Sequence, residues 1–126
     1  MRAHKLGLLL TVLSVLGISG SAFAHHGGAA YTSTVITIKG TVTSFEFTNP
    51  HSQVYFDVKN DKGEIEHWQG SLTAPNKLAR AGWTKHTLSP GDQITISGRL
   101  GKNSAKSLAI NKIIMPSGES LQLMED

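Results

Sequence analysis

From Thr34 to Phe47 the chain alternates hydrophobic and polar positions, with Ile36, Ile38 and Val42 sharing one face across Gly40 before Phe45 and Phe47 take over in the opposite parity. A period of two marks a half-buried strand, and a parity change inside it marks one extra residue. The pattern therefore predicts a long strand with a bulge near Thr43-Ser44. Thr48-Asn49-Pro50-His51 ends it, because Pro50 has no N–H for a ladder and steers Asn49 to an extended or turn conformation. Alternation resumes from Gln53 to Lys59 through Val54, Phe56 and Val58, turns at Asn60-Asp61-Lys62-Gly63, and returns from Glu64 to Gln69. That order predicts three consecutive antiparallel strands.

Between Ser71 and Trp83 the period lengthens. Thr73 is the expected N-cap of a short helix, with Pro75 in its first turn, Leu78 and Ala81 about one turn apart, and Gly82 near its end. Ser89-Pro90-Gly91-Asp92 turns the chain into a strand from Gln93 to Leu100, Gly101-Lys102-Asn103-Ser104 turns it back, and Leu108 to Met115 forms another strand. A short tail with Leu121 and Leu123 follows Ser117-Gly118. The fold class is all-β with one short helix, and the order β-β-β-α-β-β is that of an OB-fold-like five-stranded Greek-key barrel. A small open sandwich shares that element order and is the competing architecture, since order along the chain does not fix order in the sheet.

Residues 1–24 carry the pattern of an export signal: basic Met-Arg-Ala-His-Lys, an apolar run from Leu6 to Ile18, and small residues around Ser21-Ala22-Phe23-Ala24. The run is broken by Thr11, Ser14 and Gly17, is short for a membrane span, and no basic stop-transfer cluster follows it. The expected organisation is thus a signal peptide over 1–24 removed on export, a flexible N-terminal segment over 25–33, and one barrel domain over 34–126. No stable membrane span is expected after cleavage. The expected location is periplasmic or secreted.

Losing Arg2 and Lys5 with the leader leaves ten basic side chains against nine acidic ones, so the processed domain is close to neutral. Without a basic stripe interleaved with aromatics, nucleic acid is not an expected partner. The chain has no cysteine, which removes disulfides, thiolate metal sites and thiol nucleophiles together. Any metal must be held by histidine, carboxylate, methionine or the amino terminus.

Cleavage after Ala24 would make His25 the first residue, with its α-amine beside its own imidazole. Amine and Nδ1 then chelate one ion, and a further imidazole would complete a T-shaped nitrogen site. His26 offers a rival geometry through the amine, the intervening amide nitrogen and its own ring. Nitrogen-rich tetragonal sites favour Cu(II), so copper is the expected ion. The third-position-histidine copper motif is absent, since Gly27 stands there. His51, in the Asn-Pro-His loop, is the third candidate ligand, although Asn49 and Pro50 alone account for a turn. His67 and the carboxylates Glu46, Asp57, Glu64 and Glu66 are expected on solvated strand faces, and His86 in a polar segment after the helix. Trp68 and Trp83 are expected in the core of so small a domain. Met115 and Met124 are too scattered for a thioether copper site. The sequence holds no Gly-x-Ser-x-Gly, His-Glu-x-x-His or phosphate-loop motif, so no enzyme activity is expected.

His25-His26-Gly27, Lys39-Gly40-Thr41-Val42, Phe45, Asn49-Pro50-His51, Trp68, Gly82-Trp83, Leu88-Ser89-Pro90-Gly91-Asp92 and Ser97-Gly98 together resemble the small exported bacterial proteins of domain-of-unknown-function family 6152. The resemblance spans the processed chain and implies a periplasmic or secreted β-rich domain with His-His near its start and Asn-Pro-His after the first strand. Phe45-Glu46-Phe47 and Ser52 stand where relatives often carry a different local pattern, with a tryptophan nearer the Asn-Pro-His. The family brings no established activity. Two readings follow from the residues. One is a copper-binding carrier or chaperone using His25, His26 and His51. The other is a non-metal OB-like module that binds a small molecule, an oligosaccharide or an envelope protein through its barrel face and loops.

Overall fold

The computed structural model describes residues 29–123, so the leader, His25, His26 and Met124 lie outside the described residues. Strand β1 (Tyr31–Glu46) is followed by β2 (Gln53–Lys59), β3 (Ile65–Ser71), the helix α1 (Pro75–Arg80), β4 (Gln93–Gly101), β5 (Ser107–Ile114) and a two-residue β6 (Ser120–Leu121). β1 begins three residues ahead of the alternation that announces it, because Tyr31 already pairs with Gly101.

The strands join as β3-β2-β1-β4-β5, and a parallel pairing of Gln69–Ser71 on β3 with Ser107–Ala109 on β5 closes the ring. The result is a five-stranded barrel-like sheet, not an open sandwich. β1 contributes to two of its seams, pairing with β4 up to Thr41 and with β2 from Thr41 onward. The register slips between Val42 and Ser44, where the sequence predicts the bulge. One extra residue there restores the apolar face inward, so Val42 opposes Phe56 and Phe45 opposes Val54.

The helix is shorter than the sequence pattern suggests and starts later. Ala74, not Thr73, occupies the cap position, with extended backbone and no side-chain cap. Pro75 explains both facts: it presets helical φ at the first position and holds the residue before it extended. The carbonyl of Thr73 instead accepts the N–H of Ser52 at 3.1 Å, tying the helix entry to the Asn-Pro-His loop. At the other end Gly82 takes φ +91°, and the Trp83 N–H returns to the Leu78 carbonyl at 3.0 Å.

The core gathers Val42, Val54, Phe56, Trp68, Leu78, Trp83, Ile96, Leu108 and Ile113, with Phe56 stacked on Trp68 at 6.4 Å between ring centroids. Trp68 and Trp83 are both buried, as expected. Close strand approach requires glycine at position 98, where a Cβ would run into the Ala109 carbonyl. β6 has no strong signature of its own in the sequence; it forms by pairing Ser120 and Leu121 with Ile114 and Ile113.

Candidate functional site

His51 follows a cis Asn49–Pro50 peptide at the mouth of β2 and is exposed. Its Nδ1 lies 3.1 Å from the Leu72 carbonyl, which only accepts, so Nδ1 carries a proton and donates it. In the neutral ring the lone pair then sits on Nε2. This is how metal-binding imidazoles are commonly oriented, by a backbone carbonyl on the far nitrogen. Next to it Ser52 is fully buried, its backbone bonded to both Leu72 and Thr73 and its hydroxyl without a partner among the described residues.

A second histidine is oriented in the same manner on the barrel wall. Asp57 and His67 face each other across β2 and β3, and the His67 Nδ1 lies 2.6 Å from Asp57 Oδ1. The strand register continues the row: Asp57 opposes Thr41 on β1, and Thr41 opposes Gln93 on β4. Gln93, Thr41, Asp57 and His67 thus form one transverse polar row on the outer face. An open groove of about 450 Å³ follows its Gln93, Thr41 and Asp57 part, lined also by Lys39, Lys59 and Thr95 and bounded by Met115 and Pro116. Sequence reading places Asp57 and His67 on solvated faces without pairing them. A turn over Asn60–Gly63 alone would set Asp57 against Glu66; the observed register is centred on Lys62, with Lys59 opposite Ile65, and brings His67 opposite Asp57 instead.

A third cluster lies beside the free half of β3. Lys106 Nζ is 2.9 Å from Glu66 Oε2 and 5.4 Å from the centre of the Trp68 ring, while the Trp68 indole N–H donates to Glu66 Oε1 at 3.3 Å. The hydrogen bond from Lys106 holds the Glu66 carboxyl below the ordinary carboxylate value; the cost of burial opposes it, and the Trp68 hydrogen bond and the ammonium charge add to the lowering. Removing the lysine as Lys106→Met is expected to let that carboxyl titrate at higher pH, read by NMR of the Glu66 side chain. A lowered folded-state pKa adds stability above the unfolded value and loses it as pH falls through the folded one. The stability gap between wild type and variant is therefore expected at neutral pH and closes on acidification. An unmoved Glu66 titration would contradict this assignment.

Of the candidate ligands only His51 falls among the described residues, and the other described histidines, His67 and His86, lie on different segments of the chain. His51 sits at the start of β2, while His67 lies near the other end of the β2–β3 hairpin, opposite Asp57. His86 is exposed after the helix, its backbone N–H bonded to Thr84 Oγ1. Among the described residues no three histidine, aspartate or glutamate side chains gather as a metal cluster.

Residues 12–109 match the family of unknown function DUF6152. The chain belongs to this family. Its Asn-Pro-His segment and its Gly-Trp and Leu-Ser-Pro-Gly-Asp segments all fall inside the matched region. No curated protein matches the chain. Among solved structures, the crystal structure of a tRNA fluorescent labeling enzyme is similar at a TM-score of 0.43 and 18% identity, covering 64% of this chain and 17% of that one.

Proposed function

We propose that the protein is a periplasmic or secreted copper-binding protein. Removal of residues 1–24 frees the α-amine of His25, which holds Cu(II) together with its own Nδ1, and imidazoles of His26 and His51 complete a nitrogen site. The observation that carries this reading is the His51 ring, exposed, with Nδ1 engaged by the Leu72 carbonyl and Nε2 left to coordinate. A cysteine-free chain with neighbouring histidines at the expected start has nitrogen donors to offer and no thiolates. Such donors must be deprotonated to bind, so the ion is released on acidification.

The test is a Cu(II) titration against a competing chelator, on processed protein whose first residue is verified by intact mass. One tight equivalent is expected, weakened by about 100-fold or more by His51→Ala, which removes a ligand and not just a group that orients one. Binding no tighter than that of a chain beginning at Ala29 would overturn the reading. The groove beside Asp57 favours a second one, a module for a small polar ligand, an oligosaccharide or an envelope protein. Its mark is capture that survives replacement of His25 and His26 and is lost with Asp57→Ala.

A further inference from the structure

The groove beside Asp57 holds positive charge that the barrel does not neutralise. Lys39 and Lys59 both line it. In the ladder between β1 and β2 Thr41 stands opposite Asp57, so Lys39 and Lys59 occupy the next position of the same outer face on each strand. A Cβ at Gly40 would lie 3.1 Å from the Asp57 carbonyl oxygen, so the two backbones are still close where the paired ladder ends. Like charges facing one another across neighbouring strands repel. Among the described residues the ion pairs are His67 with Asp57 and Lys106 with Glu66, and neither lysine of the groove takes part in one. Asp57, the carboxylate in the lining, has Oδ1 committed to His67 at 2.6 Å.

The rest of the lining narrows the chemistry of a matching ligand. Thr41, Thr95 and Gln93 add two hydroxyls and an amide, which both donate and accept, and Asp57 keeps Oδ2 as an acceptor for a hydroxyl. A bare oxyanion would face that carboxylate with its own charge, whereas a ligand with an anionic group at one end and hydroxyls at the other suits both. Met115 and Pro116 close one side with apolar surface. Their turn is pinned by the Gly118 N–H on the Met115 carbonyl at 2.9 Å and the Met115 N–H on the Glu119 carbonyl at 2.8 Å, so this wall stands before any ligand arrives. The volume of about 450 Å³ lies in the range of small-molecule sites.

We infer that this groove binds a polyhydroxylated anion, a sugar acid or sugar phosphate, whose charge lies between Lys39 and Lys59 and whose hydroxyls meet Gln93, Thr41 and Asp57. The inference rests on the second reading above, of the groove as a module for a small polar ligand, and adds the charge that the ligand carries. It is independent of the copper site, since no histidine lines the groove. The anion offsets the repulsion between the two ammonium groups, and each lysine supplies a charge-assisted hydrogen bond.

Titration of the copper-free processed chain, followed by backbone amide NMR, tests this with glucuronate, glucose-6-phosphate, glucose and inorganic phosphate as probes. Glucuronate or glucose-6-phosphate is expected to move the amides of Lys39, Thr41, Asp57 and Thr95 saturably, binding at least about 10-fold more tightly than glucose or inorganic phosphate. The tighter of the two tells a carboxylate ligand from a phosphate one. Lys39→Gln and Lys59→Gln, both at exposed positions, are each expected to weaken it by about 10-fold or more, with the rest of the spectrum reporting an intact fold. Lys112→Gln, at an exposed lysine outside the groove, is expected to leave binding unchanged. Glucose binding as tightly as the charged sugars, with both groove-lysine variants unaffected, would overturn the inference and leave the small-ligand reading standing. Inorganic phosphate binding more tightly than either charged sugar would also overturn it. No movement of the groove amides with any probe would overturn the inference and the small-ligand reading together.

Discussion

Trimming Phe56 to alanine lowers the unfolding free energy by about 3–5 kcal/mol, read from urea or thermal denaturation. The ring is 1% exposed, opposes Val42 on one neighbour and Trp68 on the other, and stacks on the indole. Two glycines make room for it. A Cβ at Gly40 would lie 2.7 Å from its Cδ2, and one at Gly70 would lie 3.4 Å from its Cε1. Neither glycine has a side chain to move into the void that the missing ring leaves, so cavity cost adds to lost burial. That loss is a large part of the roughly 5–15 kcal/mol that holds a domain folded. Ile65→Ala, at a 55% exposed site, is expected to change stability by no more than about 0.5 kcal/mol. A Phe56→Ala cost as small as that would contradict the assignment of this ring as the centre of the barrel.

Acetylating the α-amine of His25 in the processed chain is expected to weaken Cu(II) binding by about 100-fold or more. Losing a partner that merely orients a ligand costs about 10- to 100-fold, and in the proposed site the amine would itself be a ligand in both geometries open to His25 and His26. Acetylation is the sharper perturbation. A single added residue would also displace the amine, but it would move His26 to the third position and create a different copper chelate. Equal affinities for the acetylated and free forms, measured by competition, would remove the amino terminus from the site.

Much of the barrel is legible in the sequence because its signals are local. The parity change between Val42 and Phe45 announces the bulge, and Asn60 to Gly63 announces the hairpin. Pro75 is legible too, but the cap chemistry of Thr73 competes with it there, and proline sets the start. The two residues of β6 depend on a neighbour strand to become a strand, which periodicity does not register. Ring closure through Gln69–Ser71 and Ser107–Ala109 is a pairing between distant segments and has no local mark.

The site divides along the same line. His51 stands out because a proline loop interrupts two alternating runs, whereas its hydrogen bond to Leu72 depends on a carbonyl 21 residues away. Asp57 and His67 each look like one more polar residue on an alternating strand. Only the register makes them partners, and only the second register, with β1 and β4, places them beside Lys39, Thr41 and Gln93. Glu66 and Lys106 meet because β3 and β5 run side by side, with the Gln69 N–H bonded to the Lys106 carbonyl at 3.0 Å.

The measurement that bears most directly on the copper proposal is pulsed EPR of Cu(II) on the processed protein, compared with His51→Ala, to count coordinated imidazoles by their remote nitrogens. The wild type is expected to show the His51 imidazole together with at least one from the amino terminus, and the variant to lose one imidazole while keeping the terminal chelate. Identical nitrogen couplings in the two proteins would contradict a role for His51 and leave the barrel without a part in holding the ion.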